Sequence, residues 1–187
     1  MVCAQTAAAD LSGILDCKTE SVETALHGAN AEIQQSARRM GTTIGATVVA
    51  LLVDRGRFVC IWAGDSRAYL WRGGEFRRLT TDHTWVQERV ERGEIAAEAA
   101  DRHPNRHIIS RAVGILPDLE LDRAEGDVQS GDRFLVCSDG LTEVVEDTEI
   151  SGCLKRLAPA AVCNELLQLA LARGAPDNVT LAVVAVG

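Results

Sequence analysis

Three acidic residues stand where chemistry is possible. Asp65 in "AGDSRAYL", Asp139 in "CSDGL" and Asp177 in "APDNVTLAVV" each border an apolar run and a Gly or Pro turn. A carboxylate at the end of a core strand is costly unless something compensates it. Several such groups brought to one rim repel one another. A hard divalent cation such as Mg²⁺ or Mn²⁺ relieves that repulsion, with water completing an octahedron. Taken alone, each residue reads more readily as a turn former, because Asp side chains satisfy nearby backbone donors. Spacing by itself does not establish that the three meet.

Other reactive side chains read as bland. His83 in "TDHTW" is a candidate proton donor, and His103 and His107 have a four-residue spacing that can hold a metal on a helix. Pro104 interrupts that helix, and all three histidines read as solvent-facing. His27 is given no role. Arg67 is expected to pair with a carboxylate rather than a phosphate. Trp62, Trp71 and Trp85 read as packing residues. Ser66 and Ser138 have no visible triad partners, which disfavours a Ser/His/Asp hydrolase.

The elements that must position these residues follow from periodicity. Val22, Ala25, Leu26, Ala29, Ile33, Ala37 and Met40 lie at helical spacing, with Gly41 as the stop. Residues 2–15 are Ala-rich and helix-prone. "TTIGATVVALLVD" and "RFVCIWAG" read as strands joined at "DRGR", and "RAYLWRGGEFRRL" as a hairpin around Gly73-Gly74. The run Val48 to Val53 suggests a strand covered on both faces. Residues 80–107 are polar and predict two short helices projecting from the sheet. "HIISRAVGI", "LELDRAEGDV" and "DRFLVCS" read as strands, 146–157 and 159–173 as helices, and "DNVTLAVVAV" as a closing strand. Strands in two sets with helices following predict an α+β fold, a β-sandwich with helices outside.

Composition bounds the function. The chain has 187 residues, 47% of them hydrophobic, enough for one domain (residues 1–187) with its own core. The net charge of −8 argues against broad nucleic-acid or membrane-surface binding and suits cations. The six cysteines include no C-x-x-C pair, which points to reduced thiols in a cytoplasmic protein. The expectation is a protein without a signal peptide, and no apolar run in the sequence is long enough to span a membrane.

Four segments occur in order: "GTTIGATVVALL" (41–52), "GDSRAYLWRGGEFRRLTTDHT" (64–84), "GDRFLVCSDGLTEVV" (131–145) and "GAPDNVTLAVV" (174–184). Together they resemble the metal-dependent protein phosphatases, the PPM type or type 2C, in particular the bacterial serine/threonine enzymes. The resemblance covers about residues 20–187. It implies a four-layer αββα sandwich that hydrolyses phosphoserine and phosphothreonine with a metal-activated water and no phosphoenzyme. Two Mn²⁺ or Mg²⁺ ions share that water, with a third seen in bacterial members. By resemblance, Asp139 and Asp177 are ligands of the first metal. Asp65 is a ligand of the third, shared with the Asp139 position. Residues 80–107 match the flap beside the active site, associated with substrate choice. Phosphoprotein substrates and a partner serine/threonine kinase are implied.

Two family segments are not found in this sequence. One is the R-x-x-N-E-D type, with a phosphate-binding Arg. The other is the D-G-M-G-G-H type, whose Asp bridges the metals. The residues after Met1 resemble the helix that follows the second. The expectation is therefore an N-terminally truncated domain, from a start assigned at an internal Met or as a natural non-catalytic form. Such a chain is expected to have impaired activity, low stability and a tendency to self-associate through exposed sheet edges. The alternative function is a pseudophosphatase that binds a protein partner.

Overall fold

Alternation along the strands sorts the core into layers. The computed structural model describes residues 15–100 and 102–187. The helix expected over residues 2–15 lies, but for Leu15, outside them. In β2 (Arg57–Ala63), Val59 and Ile61 face α1 (Leu15–Met40), meeting Val22 and Leu26 there. Phe58, Cys60 and Trp62 face the other way, onto the second sheet. Successive strand side chains point to opposite faces, so a strand buried throughout must be covered on both. β2 is, from Phe58 to Ala63.

The first sheet has the order β1-β2-β5, with β1 (Val48–Asp54) and β5 (Asp122–Asp127) antiparallel to β2. The second has the order β4-β3-β6-β7, from β3 (Arg67–Arg72), β4 (Glu75–Arg78), β6 (Arg133–Cys137) and β7 (Leu181–Ala185). Ala68, Leu70 and Phe134 face the first sheet. Phe134 meets Phe58 edge-to-face at 5.1 Å, a favoured aromatic geometry. On the opposite face Tyr69, Leu135 and Cys137 pack against Ile150, Leu154, Val162 and Leu166. These belong to α5 (Asp147–Arg156) and α6 (Pro159–Ala172). The expected α+β, four-layer αββα sandwich is what the chain forms. Among the described residues no helix is long and apolar enough to cross a membrane.

Several expectations need adjustment. α1 already includes Leu15, seven residues before Val22, and Leu15 is buried with Leu52, Val59 and Ile61. Both faces of β1 are covered as expected, but most of it is only half-buried because it lies at the sheet edge. "HIISRAVGI" is not a strand. It touches neighbouring backbone at two isolated bridges, Thr84 with Ile109 and Ala46 with Val113, and leaves Ile108, Ile109 and Ile115 exposed. It is strapped down instead by Asn30 of α1, which is 3% exposed. Asn30 Oδ1 accepts from the Gly114 N–H (2.6 Å), and its Nδ2 donates to the Leu116 and Pro117 carbonyls. The two short helices expected in 80–107 are α2 (Trp85–Glu91) and α3 (Ala97–Ala100).

Cys60, Cys137 and Cys153 are buried free thiols, as expected. Burial pushes the Cys60 and Cys137 thiols up to about 12.

Candidate functional site

At one end of the sandwich, a cleft of about 570 Å³ opens between the strand ends and the α2–α3 flap. Asp65 and Asp139 both line it. Asp65 follows β2 in the bend to β3. Asp139 does not end a strand, as its context predicts. It is the first residue of a short helix, α4 (Asp139–Thr142), with Ser138 as the N-cap. Asp139 Oδ1 accepts from the Gly140 N–H at 2.9 Å. Burial, and next the neighbouring Asp139 charge, push the Asp65 carboxyl up to about 6. A half-buried carboxyl whose ionisation is opposed by a neighbouring carboxylate suits a nearby positive charge.

Asp177 is placed differently. It is exposed, in the loop before β7, and its Oδ1 accepts from the next backbone N–H, that of Asn178, at 2.6 Å. Its loop is nonetheless held against the Asp139 segment. Ser138 Oγ donates to the Asn178 carbonyl (3.1 Å) and accepts from the Thr180 N–H (3.0 Å). Gly140 packs against the backbone of the same loop: a Cβ there would lie 2.5 Å from the Asn178 oxygen. So Ser138, dismissed as a nucleophile, serves as a fastener.

Arg67 pairs with a carboxylate, as expected. Its Nε and Nη2 donate to both oxygens of Asp82, at 3.0, 3.1 and 2.6 Å. Arg78 adds a longer contact to Asp82 at 3.6 Å. Burial favours a neutral Arg67, but the Asp82 carboxylate outweighs it and holds the guanidinium firmly charged. The Tyr69 hydroxyl donates to Asp147 at the start of α5 at 2.9 Å, tying the cleft wall to the outer helix layer.

The histidines separate. His107 is exposed and pairs with Glu143 across the cleft mouth at 3.1 Å. The His103 ring nitrogen accepts from the Asn105 N–H at 3.1 Å, and the ring leans on Trp85. The two share no helix. His83, expected at the surface, is 5% exposed. Trp62 is in the core, as a packing residue should be. Trp85 instead carries the Arg89 guanidinium 3.7 Å above its ring, a cation–π contact.

Among the described residues, no three or more His, Cys, Asp or Glu side chains form a metal-holding group. The cleft brings Asp65 and Asp139 together, while Asp177 lies off its lining, on the loop fastened to Ser138. The pair suits one hard cation whose remaining ligands are water. It does not by itself fit two.

The protein phosphatase 2C family profile matches residues 6–179. The chain belongs to that family. It is 38% identical over 177 residues to the serine/threonine protein phosphatase PstP of Mycobacterium tuberculosis, a match covering 93% of this chain and 33% of PstP. It is 36% identical over 142 residues to the serine/threonine phosphatase stp of Listeria monocytogenes, covering 75% of this chain and 56% of that one. The chain thus spans a third to just over half of these curated relatives. Among solved phosphatase 2C structures, that of M. tuberculosis PstP superposes with a TM-score of 0.85 at 34% identity, covering 96% of this chain and 75% of that one. PppA, described as a key regulatory component of T6SS in Pseudomonas aeruginosa, gives 0.84 at 36% identity over 94% of this chain and 73% of that one. A further structure of the PstP catalytic domain is described as a complex with two manganese ions. The phosphatase 2C assignment agrees with the layered sandwich and with carboxylates gathered at one of its ends.

Proposed function

We propose that this chain acts in the hydrolysis of phosphoserine and phosphothreonine in bacterial proteins, with Asp139, Asp65 and Asp177 contributing ligands to Mn²⁺ or Mg²⁺. The observation that carries this reading is the Asp65–Asp139 pair, because two mutually repelling carboxylates in an open cleft suit a hard cation. When bound, such an ion lowers the pKa of a water and neutralises phosphate charge. The chain's own residues arrange the rest. Arg67, Asp82 and Tyr69 stiffen one wall. Arg106, on the flap wall and with no ion pair among the described residues, is free to meet an anionic substrate. A partner kinase is implied by the substrate chemistry. Self-association through the outer edges of β1 and β7 is part of the proposal, supported by their position at the ends of the two sheets, and is tested by light scattering.

The test is hydrolysis of a phosphothreonine peptide against Mn²⁺ concentration. Asp139→Asn lowers kcat/KM by about 100-fold or more, the loss of a few kcal/mol of transition-state stabilisation. Activity that needs no added metal and survives Asp139→Asn overturns the assignment.

A second reading is a non-catalytic module that binds a phosphoprotein. It is favoured by the placement of Asp177 off the cleft lining, where its carboxylate accepts from its own loop. It predicts no turnover at saturating Mn²⁺ and phosphopeptide binding that persists in Asp139→Asn.

A further inference from the structure

We propose that His83 is a positioning residue for Asp65, acting through the backbone of Gly64. The inference rests on the metal-ligand role proposed for Asp65.

Residue 83 satisfies both backbone polar groups of residue 64. The Gly64 N–H donates to His83 Nδ1 at 3.2 Å, and the His83 N–H donates to the Gly64 carbonyl at 2.9 Å. Gly64 needs that clasp. It sits at φ +117°, and a Cβ there would lie 2.4 Å from the Thr47 side chain. This left-handed turn ends β2 and sets the direction in which the next residue, Asp65, leaves the sheet. A glycine reaches that φ without strain but is not confined to it, so the two hydrogen bonds to residue 83 fix this turn.

The imidazole is held by one hydrogen bond at Nδ1 and by its stacking on Trp62. Nδ1 receives a backbone proton, so it carries none, and the ring proton is on Nε2. Nε2 lies 3.2 Å from Asp122 Oδ2, and no well-aligned hydrogen bond joins them. Asp122 is anchored in turn by Arg111 Nη1 at 2.9 Å. The ring stacks on Trp62 at 6.1 Å, and the Trp62 indole N–H donates to the Thr81 carbonyl at 2.8 Å. The His83 carbonyl accepts from the Ser110 N–H at 2.9 Å. The hydrogen-bonded link runs from His83 to the Gly64 backbone and so to Asp65, and Asp122 is a near neighbour of Nε2 without a bond to it. The imidazole's recorded contacts go to the Gly64 backbone, to Trp62 and to Asp122, so it acts on the site through another residue. A histidine needed only to fill space would not require an acceptor aimed at one backbone N–H.

The test separates acceptor from volume by Mn²⁺ titration calorimetry on the intact chain. Asn keeps an acceptor near the Nδ1 position, and Phe keeps the ring without it. His83→Phe weakens Mn²⁺ binding about tenfold, the lower range for loss of a group that orients a ligand. His83→Asn stays within about threefold of the parent, and the double variant with Asp65→Asn binds no more weakly than Asp65→Asn alone, because both act through one ligand. His83→Phe that binds like the parent, while Asp65→Asn binds weakly, overturns the role of His83 alone. Asp65→Asn that binds like the parent overturns the underlying ligand assignment and this role with it. Should His83→Phe not fold, nitrogen-15 NMR of the parent chain decides. The expected signature is an unprotonated Nδ1, with the Gly64 amide shifting on Mg²⁺ addition. A protonated Nδ1, or a Gly64 amide indifferent to Mg²⁺, overturns the proposal.

Discussion

Gly140 lies so close to Asn178 that a methyl group on it would sit 2.5 Å from the Asn178 carbonyl oxygen. The obstacle is backbone, which cannot swing aside as a flexible side chain can. Gly140→Ala therefore pushes the Asp177 loop away from the Asp139 helix. We expect a loss of about 1–3 kcal/mol, the usual cost of overpacking, in urea denaturation. Weaker Mn²⁺ binding should accompany it, and substitution at the open Gly152 serves as the control.

Asp65 gives the stability a pH dependence of known sign. Its folded-state pKa is raised, to about 6 from an ordinary 3.8, by burial and by Asp139. Between these values the folded chain holds a proton that the unfolded chain has released. Its contribution to stability therefore falls as pH rises through that window, and the full penalty is present above it. Asp65→Asn should raise Tm by about 2–4 °C at pH 8, the size expected of a 1 kcal/mol change in a chain of this length. At pH 4 the change should nearly vanish. Scanning calorimetry at the two pH values checks both. Mn²⁺ should stabilise the parent at pH 8, since it binds the folded state.

The Arg67–Asp82 pair is largely shielded, with side chains 22% and 13% exposed. Asp82→Asn leaves a guanidinium without its counter-charge and should cost about 3 kcal/mol. Replacing both partners, Arg67→Met with Asp82→Asn, should recover much of that loss. Equilibrium unfolding of the two single variants and the double variant measures the coupling.

Asn30 holds the 114–117 segment through one accepted and two donated hydrogen bonds. Asn30→Ala strands the Gly114 N–H against α1. The expected cost is about 1–3 kcal/mol, the penalty of a buried donor left unmade. Hydrogen exchange at the Gly114 amide should accelerate well beyond that of the sheet amides.

The layers were legible because they are a period-two property. The apolar run from Val48 to Val53 puts apolar side chains on both faces of its strand, and both faces are covered. The hairpins at Arg55-Gly56 and Gly73-Gly74 were legible from local turn chemistry. "HIISRAVGI" misled, because apolar composition implies burial, whereas Asn30, far away in sequence, is what holds this segment. His83 misled in the opposite direction. "TTDHT" reads as a wet loop, and its burial comes from Trp62 and from the segment at Ser110. In the site, the motifs pointed to Asp65, Asp139 and Asp177, and the cleft is lined by the first two and not by Asp177. The fastening of the Asp177 loop by Ser138 was invisible, because a serine before Asp-Gly carries no local sign of its partner forty-two residues on.

The buried thiols have a use outside catalysis. Cys60 lies between the two sheets, whereas Cys137 and Cys153 lie between the second sheet and its helices. Thiols held largely un-ionised by burial react slowly until the layer around them parts. Cys17, on α1, is already exposed. A pulse of alkylating reagent during unfolding, read by mass spectrometry, therefore timestamps the parting of each interface. Cysteine itself supplies the clock, with no label to engineer.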